Sequence, residues 1–164
     1  MRESRGFTYL GVLFLVALMG VLLATAGQAW HTQSMREKEA ELLWVGDQYR
    51  KAIARFYSSS PGNARYPQEL AELLKDPRRP DTQRYLRKLY ADPVTGKNEW
   101  GLVKAIDGGI AGVHSLSETK PFKVTGFRLE YADFEGKEKY SDWRFVFAPG
   151  GAVLPPKPAG QVVQ

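Results

Sequence analysis

Residues 5–30, which read RGFTYLGVLFLVALMGVLLATAGQAW, decide the fold of this chain of 164 residues. Residues 7–30 include no charged side chain. In a helix, these 24 residues would extend roughly 36 Å, whereas the hydrocarbon core of a bilayer is roughly 30 Å thick. The sequence therefore predicts a transmembrane helix over residues 7–30. Arg2 and Arg5 precede it, and because basic flanks stay in the cytoplasm, the rest of the chain is predicted to lie on the far side.

A glycine separates the last basic residue of the leader from the first apolar residue, in the order Arg5, Gly6, Phe7 and Thr8. Glycine lets a protease approach the backbone closely. A short basic leader that ends in Gly, followed by Phe-Thr and an apolar helix, resembles the class III signal of type IV pilins and type II secretion pseudopilins. The resemblance implies that a prepilin peptidase cuts between Gly6 and Phe7 and methylates the new amino terminus, so that residues 1–6 are a leader peptide.

Gly11 occupies a position where the resembled family usually has Glu. In that family, the glutamate pairs with the amino terminus of a neighbouring subunit, which a glycine cannot do. A buried charge without a partner is costly in hydrocarbon. Gly11 therefore favours a minor subunit or one at the tip of a filament over a subunit within the fibre.

Four small residues are predicted to let apolar helices pack closely, namely Gly11, Ala17, Gly20 and Ala24. In lipid, burial of apolar surface does not drive helix association, so close packing through small residues must contribute. Gly20 and Ala24 have the small-xxx-small spacing. The alternative, that these are only the small residues common in membrane helices, stays open.

Two other interpretations of the amino-terminal segment remain open. Ala24, Thr25 and Ala26 offer a cleavage pattern for an ordinary secretory signal peptide, although the apolar run is longer than a usual signal-peptide core. The second interpretation is a membrane anchor that is not cut.

The helical pattern continues beyond the apolar run. No proline occurs between Trp30 and Pro61, and apolar residues recur at helical spacing. The predicted stripe consists of Met35, Leu42, Val45, Tyr49, Ala52, Ile53 and Phe56. The helix is therefore predicted to continue to about residue 57, with its stripe packed on the chain's own sheet.

Short elements are predicted in the rest of the chain. Two short helices are expected, one over residues 68–76 and one over residues 82–90, each beside an Asp-Pro or Asp turn signal. Alternation of apolar and polar residues predicts strands over residues 100–106, 110–116, 127–132 and 143–147, with the last two joined in a hairpin through residues 135–137. The Asp-Pro pairs at Asp76 and Asp92 are similar to the αβ-loop of major pseudopilins.

Together these patterns predict an α+β fold of the pilin-like kind, in which a long N-terminal transmembrane and amphipathic helix packs on a small antiparallel β-sheet. Residues 31–148 would form the periplasmic domain. The tail, residues 149–164, contains four prolines and three glycines and is predicted to be disordered.

Sites for chemistry are sparse in this sequence. The chain has no cysteine and two histidines, and no zinc or nucleophile motif is complete. Asp133, Glu135 and Asp142 lack the dense ligand spacing of a calcium loop. The net charge of +5 is spread along the chain, so nucleic acid is not an expected partner. The sequence predicts no catalytic residue, metal site or cofactor, and hence no enzyme.

The resemblance therefore implies a pseudopilin-like structural subunit of a type II secretion filament. Its expected partners are other pseudopilins, the inner-membrane secretion platform, the prepilin peptidase and the membrane. The expected location is the bacterial inner membrane, as a single-pass protein with a cytoplasmic amino terminus and a periplasmic domain. The alternatives are a minor pilin of a type IV pilus or DNA-uptake filament, and a plain membrane-anchored periplasmic domain.

Overall fold

The computed structural model describes residues 5–60 and 62–151, and within these ranges the side chains of residues 5–8, 21–31 and 151 are outside the description. The chain divides into two compact units, residues 1–38 and residues 39–164. The fold class is α+β, with a small antiparallel sheet and helices, as predicted. The predicted leader, residues 1–6, lies outside the described residues except that helix α1 begins at Arg5.

Helix α1 spans Arg5–Ser58 and ends one residue beyond the predicted end. Proline is absent from it, and the hydroxyls of Ser59 and Ser60 both donate hydrogen bonds to the carbonyl oxygen of Phe56 in its last turn. Arg55 lies in the last turn, where a positive charge interacts favourably with the helix dipole.

The second half of α1 supplies one wall of the core in the unit formed by residues 39–164. The buried stripe consists of Leu42, Val45, Tyr49, Ala52, Ile53 and Phe56. Gly46 lies on the same buried side, because a Cβ atom built there would come within 2.4 Å of the Phe145 ring. The glycine therefore permits a close approach between the helix and a strand of the sheet.

Three short strands form the sheet, in the order β1 (Gly101–Lys104), β2 (Ile110–His114) and β3 (Arg144–Val146). Both pairs are antiparallel, with Leu102 opposite Val113 and Val113 opposite Phe145. Val113 and Phe145 are fully buried and face the core, whereas Leu102 is 41% exposed.

The predicted strand over residues 127–132 is wrong, and so is the hairpin through residues 135–137. The segment Leu129–Phe134 is a 3-10 helix with a kink at Tyr131, and β3 pairs with β2 instead. Phe127, Tyr131 and Phe134 pack in the core with helical spacing, whereas Leu129 is 96% exposed. The buried positions thus follow a helical period, and the apparent alternation at Phe127, Leu129 and Tyr131 was coincidental.

The two predicted short helices also differ from the structure. Only Leu70–Leu73 forms a helical turn, of the 3-10 type. Residues 82–90 form no helix, because the backbone N–H groups of Tyr85 and Leu86 both donate to the carbonyl oxygen of Leu73, at 2.9 Å each. Long-range hydrogen bonds and burial of Tyr85 and Leu86 therefore override the local helical pattern.

The predicted membrane localisation requires correction. Among the residues that the structure describes, no helix has both the length and the apolar character needed to cross a bilayer. This finding contradicts the single-pass inner-membrane anchor predicted over residues 7–30, and the cytoplasmic and periplasmic sides assigned on that basis are withdrawn with it.

The predicted disordered tail is only partly within the described chain. Pro149–Gly151 form a 3-10 turn in which Gly150 has a φ of 80°. Residues 152–164 lie outside the described residues.

Candidate assembly surface

Residues 9–20 of α1 present an exposed apolar surface in the unit formed by residues 1–38. Every residue from 9 to 20 is exposed. The large apolar side chains that it exposes are Tyr9, Leu10, Val12, Leu13, Phe14, Leu15, Val16, Leu18 and Met19. They lie on all sides of the helix, with Phe14 73% and Leu10 66% exposed. A helix that is apolar all round is typically buried on all sides, so this segment has the character of a contact surface.

Charge is absent from this surface. Residues 10–20 contain no ionisable side chain. Contacts made here are therefore apolar, and screening by salt cannot weaken them in the way that it weakens exposed ion pairs. We call residues 9–20 the apolar segment.

The small residues predicted for packing do not share one face of the helix. Gly11 and Gly20 are nine positions apart, which is about 2.5 turns at 3.6 residues per turn, so they lie on opposite sides. Gly20 shares its face with Ala17 and with position 24, which are within one turn of it. A Cβ atom built at Gly11 or Gly20 meets no atom within 4 Å. The side chain of Ala24 is outside the described residues.

The predicted processing site lies at the start of α1. The backbone of Gly6 and Phe7 is helical in the first turn, whereas their side chains are outside the described residues. The structure therefore places the bond between Gly6 and Phe7 at the end of the helix that carries the apolar segment.

The sequence-based prediction assigned a packing role to the small residues of this surface and none to its large apolar residues. Leu10 and Phe14 are one turn apart and together form a prominent exposed ridge. Their exposure was not readable from the sequence, where an apolar helical residue is equally compatible with burial.

No protein-family model, curated protein or solved structure matches the chain. The chemistry of its own side chains is therefore the guide to what it does.

In the unit formed by residues 39–164, one polar cluster joins α1 to the 3-10 helix Leu129–Phe134. The Tyr131 hydroxyl donates to Asp47 Oδ1 at 2.7 Å, and Arg50 Nε donates to the Tyr131 hydroxyl at 3.1 Å. Lys51 Nζ lies 2.6 Å from Asp47 Oδ2, and Arg50 also pairs with Glu130. The charged groups of the cluster are thus paired with one another. Such internal pairing is typical of a cluster that stabilises the fold.

The pKa values of this cluster follow from its contacts. Burial alone would raise the pKa of Asp47, but hydrogen bonds from Lys51, Tyr131 and Arg50 outweigh it and lower the pKa to about 2. Burial raises the pKa of Tyr131, and its hydrogen bond to Asp47 raises it further. Neither group titrates near neutral pH, so neither is suited to acid–base catalysis there.

The buried Asp92 is likewise satisfied by its neighbours. Its carboxylate accepts hydrogen bonds from the Ser115 hydroxyl at 2.7 Å, the Thr95 hydroxyl at 3.0 Å and the Val94 backbone at 2.9 Å. In the described part of the chain, no group of three or more His, Cys, Asp or Glu residues is placed to hold a metal ion. Asp133, Glu135 and Asp142 are therefore not brought together as ligands.

Proposed function

We propose that this chain is a pseudopilin-like structural subunit of a type II secretion filament, in a minor or tip position. The observation that carries the proposal is the apolar segment, residues 9–20, which is uncharged and exposed on all sides. A single docking partner would cover one side of such a helix. Neighbouring helices of filament subunits, arranged around it, would cover them all.

The different burial of the two halves of α1 supports this role. Residues 42–56 bury their apolar stripe among aromatic side chains of the unit formed by residues 39–164. Residues 9–20 have no such cover within the unit formed by residues 1–38. Residues 42–56 of the helix thus belong to a folded domain, and residues 9–20 are exposed for contact with other subunits.

Gly11 supports the minor or tip position. No residue from 10 to 20 offers the carboxylate that the resembled family uses to pair with a neighbour's amino terminus. Gly11 has open space around it, so it neither fills a contact within the unit nor supplies a charge. A subunit that lacks this pairing group can begin a filament, since a first subunit has no earlier neighbour to pair with.

The processing of the amino terminus tests the proposal. The full chain is expressed with and without a prepilin peptidase, and the intact mass and amino-terminal sequence of each product are measured. We expect the peptidase to remove residues 1–6 and to methylate Phe7. The matched control is Gly6→Val, which should stay uncut because its side chain obstructs close approach to the backbone.

Two results would overturn the proposal. One is an intact Met1 in the presence of an active peptidase that cuts a known substrate in the same cells. The other is a product that begins at Gly27, because that start follows Ala26 and would identify an ordinary signal peptide.

A further inference from the structure

Arginine side chains meet at an open groove beside the C-terminal end of α1. The groove has a volume of about 400 Å³. It is lined by Arg55, Ser58, Ser59, Gln83, Arg84 and Tyr85. The helix end and the irregular segment after Asp81 thus bring two guanidinium groups and two serines together, although 29 positions separate Arg55 from Arg84.

The two guanidinium groups of the groove have no acidic partner. Among the described residues, neither Arg55 nor Arg84 forms an ion pair or a side-chain hydrogen bond. The buried carboxylate of Asp76, which contacts Tyr85 of the groove, is occupied by Arg78 through two charged hydrogen bonds and by the Tyr85 hydroxyl at 2.9 Å. The positive charge of the groove is therefore not neutralised by that carboxylate.

A third arginine adds an independent observation. Arg79 Nη2 donates to the carbonyl oxygen of Ser59 at 3.1 Å, which holds this side chain beside a residue that lines the groove. The Nε atom of Arg79 is buried and has no hydrogen-bond partner among the described residues. A buried donor without an acceptor is uncommon in folded proteins. Arg79 does not itself line the groove, but its contact with Ser59 adds a third positive charge beside it.

We propose that this groove binds a small oxyanion of the phosphate class. Guanidinium groups match the geometry of phosphate oxygens and donate two hydrogen bonds at once. The Ser58 hydroxyl adds a neutral donor, whereas the Ser59 hydroxyl already donates to the carbonyl oxygen of Phe56. The groove is open, so it accepts a free anion or the phosphate group of a larger molecule. This inference goes beyond the filament role and does not depend on it, since it concerns residues 55–85 and not the apolar segment.

The test uses the full chain in a non-ionic detergent at constant ionic strength. Inorganic phosphate is titrated while backbone amide resonances are followed by NMR, and chloride replaces phosphate in the reference titration. We expect saturable shifts at Ser58, Ser59 and Gln83 with phosphate only. A parallel titration with a nucleoside monophosphate distinguishes the two sources: tighter binding than inorganic phosphate indicates an attached group, and equal or weaker binding indicates the free anion.

Matched variants decide whether the groove itself is responsible. Arg55→Gln combined with Arg84→Gln should weaken phosphate binding about tenfold, because each charged hydrogen bond lost is a substantial part of so weak an interaction. Arg87→Gln, which removes an exposed charge from the same segment outside the groove, should leave the affinity within a factor of two or so.

The same titrations can refute the proposal. Equal weakening of phosphate binding in the double variant and in Arg87→Gln would show a general effect of positive charge. Amide shifts that do not saturate, or no shifts at millimolar phosphate, would show that there is no site. Arg55 and Arg84 are exposed, so the double variant should fold. If its spectrum shows that it does not, Arg84→Gln alone is compared with Arg87→Gln by the same criteria.

Discussion

Arg78 and Asp76 form a two-point ion pair, in which Arg78 Nε lies 2.8 Å from Asp76 Oδ1 and Arg78 Nη2 lies 2.7 Å from Asp76 Oδ2. Asp76 is fully buried and the Arg78 side chain is 7% exposed. Arg78 also donates to the carbonyl oxygen of Phe56 at 3.0 Å and lies 3.6 Å from the centre of the Phe56 ring. The pair thus fastens the loop after Leu70–Leu73 to the last turn of α1.

Asp76→Asn should destabilise the unit formed by residues 39–164 by about 3 kcal/mol or more. The substitution removes one partner of a buried pair and leaves the charge of Arg78 without compensation. The free energy of unfolding, measured by denaturant titration, checks this expectation. A loss smaller than about 1 kcal/mol would contradict the structural role assigned to the pair.

The matched control for that substitution is Glu118→Gln. Glu118 pairs with Lys139, but both side chains are largely exposed. Exposed pairs contribute little, so the free energy of unfolding should barely change.

Stability should decrease as the pH falls below about 4. Hydrogen bonds from Arg78 hold the pKa of Asp76 well below its usual range, and the contacts of Asp47 lower its pKa from 3.8 to about 2. A carboxyl whose pKa is lower in the folded state contributes stability above its unfolded pKa and loses it as the pH falls through the folded value. Thermal unfolding midpoints measured between pH 7 and pH 2 should therefore be level at first and then fall.

A variant assigns this pH dependence to one group. Asp47→Asn should be less stable than the natural chain at pH 7, and its midpoint should change less between pH 4 and pH 2. An unchanged slope in the variant would mean that Asp47 contributes nothing to the acid transition.

Gly46→Ala should destabilise the fold even though alanine favours helices. The new Cβ atom would lie 2.4 Å from the Phe145 ring, so the ring or the helix must move. We expect a net loss of about 1–3 kcal/mol in the free energy of unfolding. Gly20→Ala is the control, because nothing lies within 4 Å of its Cβ position, and it should leave the unfolding of residues 39–151 unchanged.

Cysteine cross-linking should detect assembly through the apolar segment. The chain has no cysteine, so a single engineered one reports only its own contacts. With the purified chain alone, the apolar segment can contact only another copy, so Val16→Cys should yield disulfide-linked dimers under mild oxidation. Lys97→Cys, which is exposed in a bend before β1, should yield few. Similar yields from both variants would indicate random collision and would speak against the apolar segment as the contact.

The parts of the fold that the sequence predicted are those with a long, regular pattern. The stripe from Leu42 to Phe56 repeats over four turns, so its period identifies a helix and its buried face. The first two strands were predicted at their correct places because the turn at Asp107, Gly108 and Gly109 separates them, and the Asp107 carboxylate accepts a hydrogen bond from the Gly109 backbone.

Short segments were predicted poorly because few residues define their period. Phe127 and Tyr131 are four positions apart, a spacing that satisfies both a strand and a helical turn, and only the ring contacts with Phe134 and Trp143 decide between them. The partner of β3 depends on contacts distant in sequence, which alternation alone does not specify.

The candidate surface, too, was predictable only in part. The uncharged character of residues 9–20 can be read from the sequence, whereas the placement of Gly11 and Gly20 on opposite sides follows only from the helical geometry. The arginine groove gave no sequence signal, since Arg55 and Arg84 come together through an irregular segment that the sequence predicted as a helix.

The close approach of Gly46 and Phe145 has a consequence for biosynthesis. These residues are 99 positions apart in the chain, and ribosomes add about 5–20 residues per second. The hydrophobic face of the helix therefore emerges from the ribosome about 5–20 s before the strand that covers it. During that interval the nascent polypeptide exposes a hydrophobic surface that is prone to aggregation. We therefore expect a chaperone to bind it until its last strand has been synthesised.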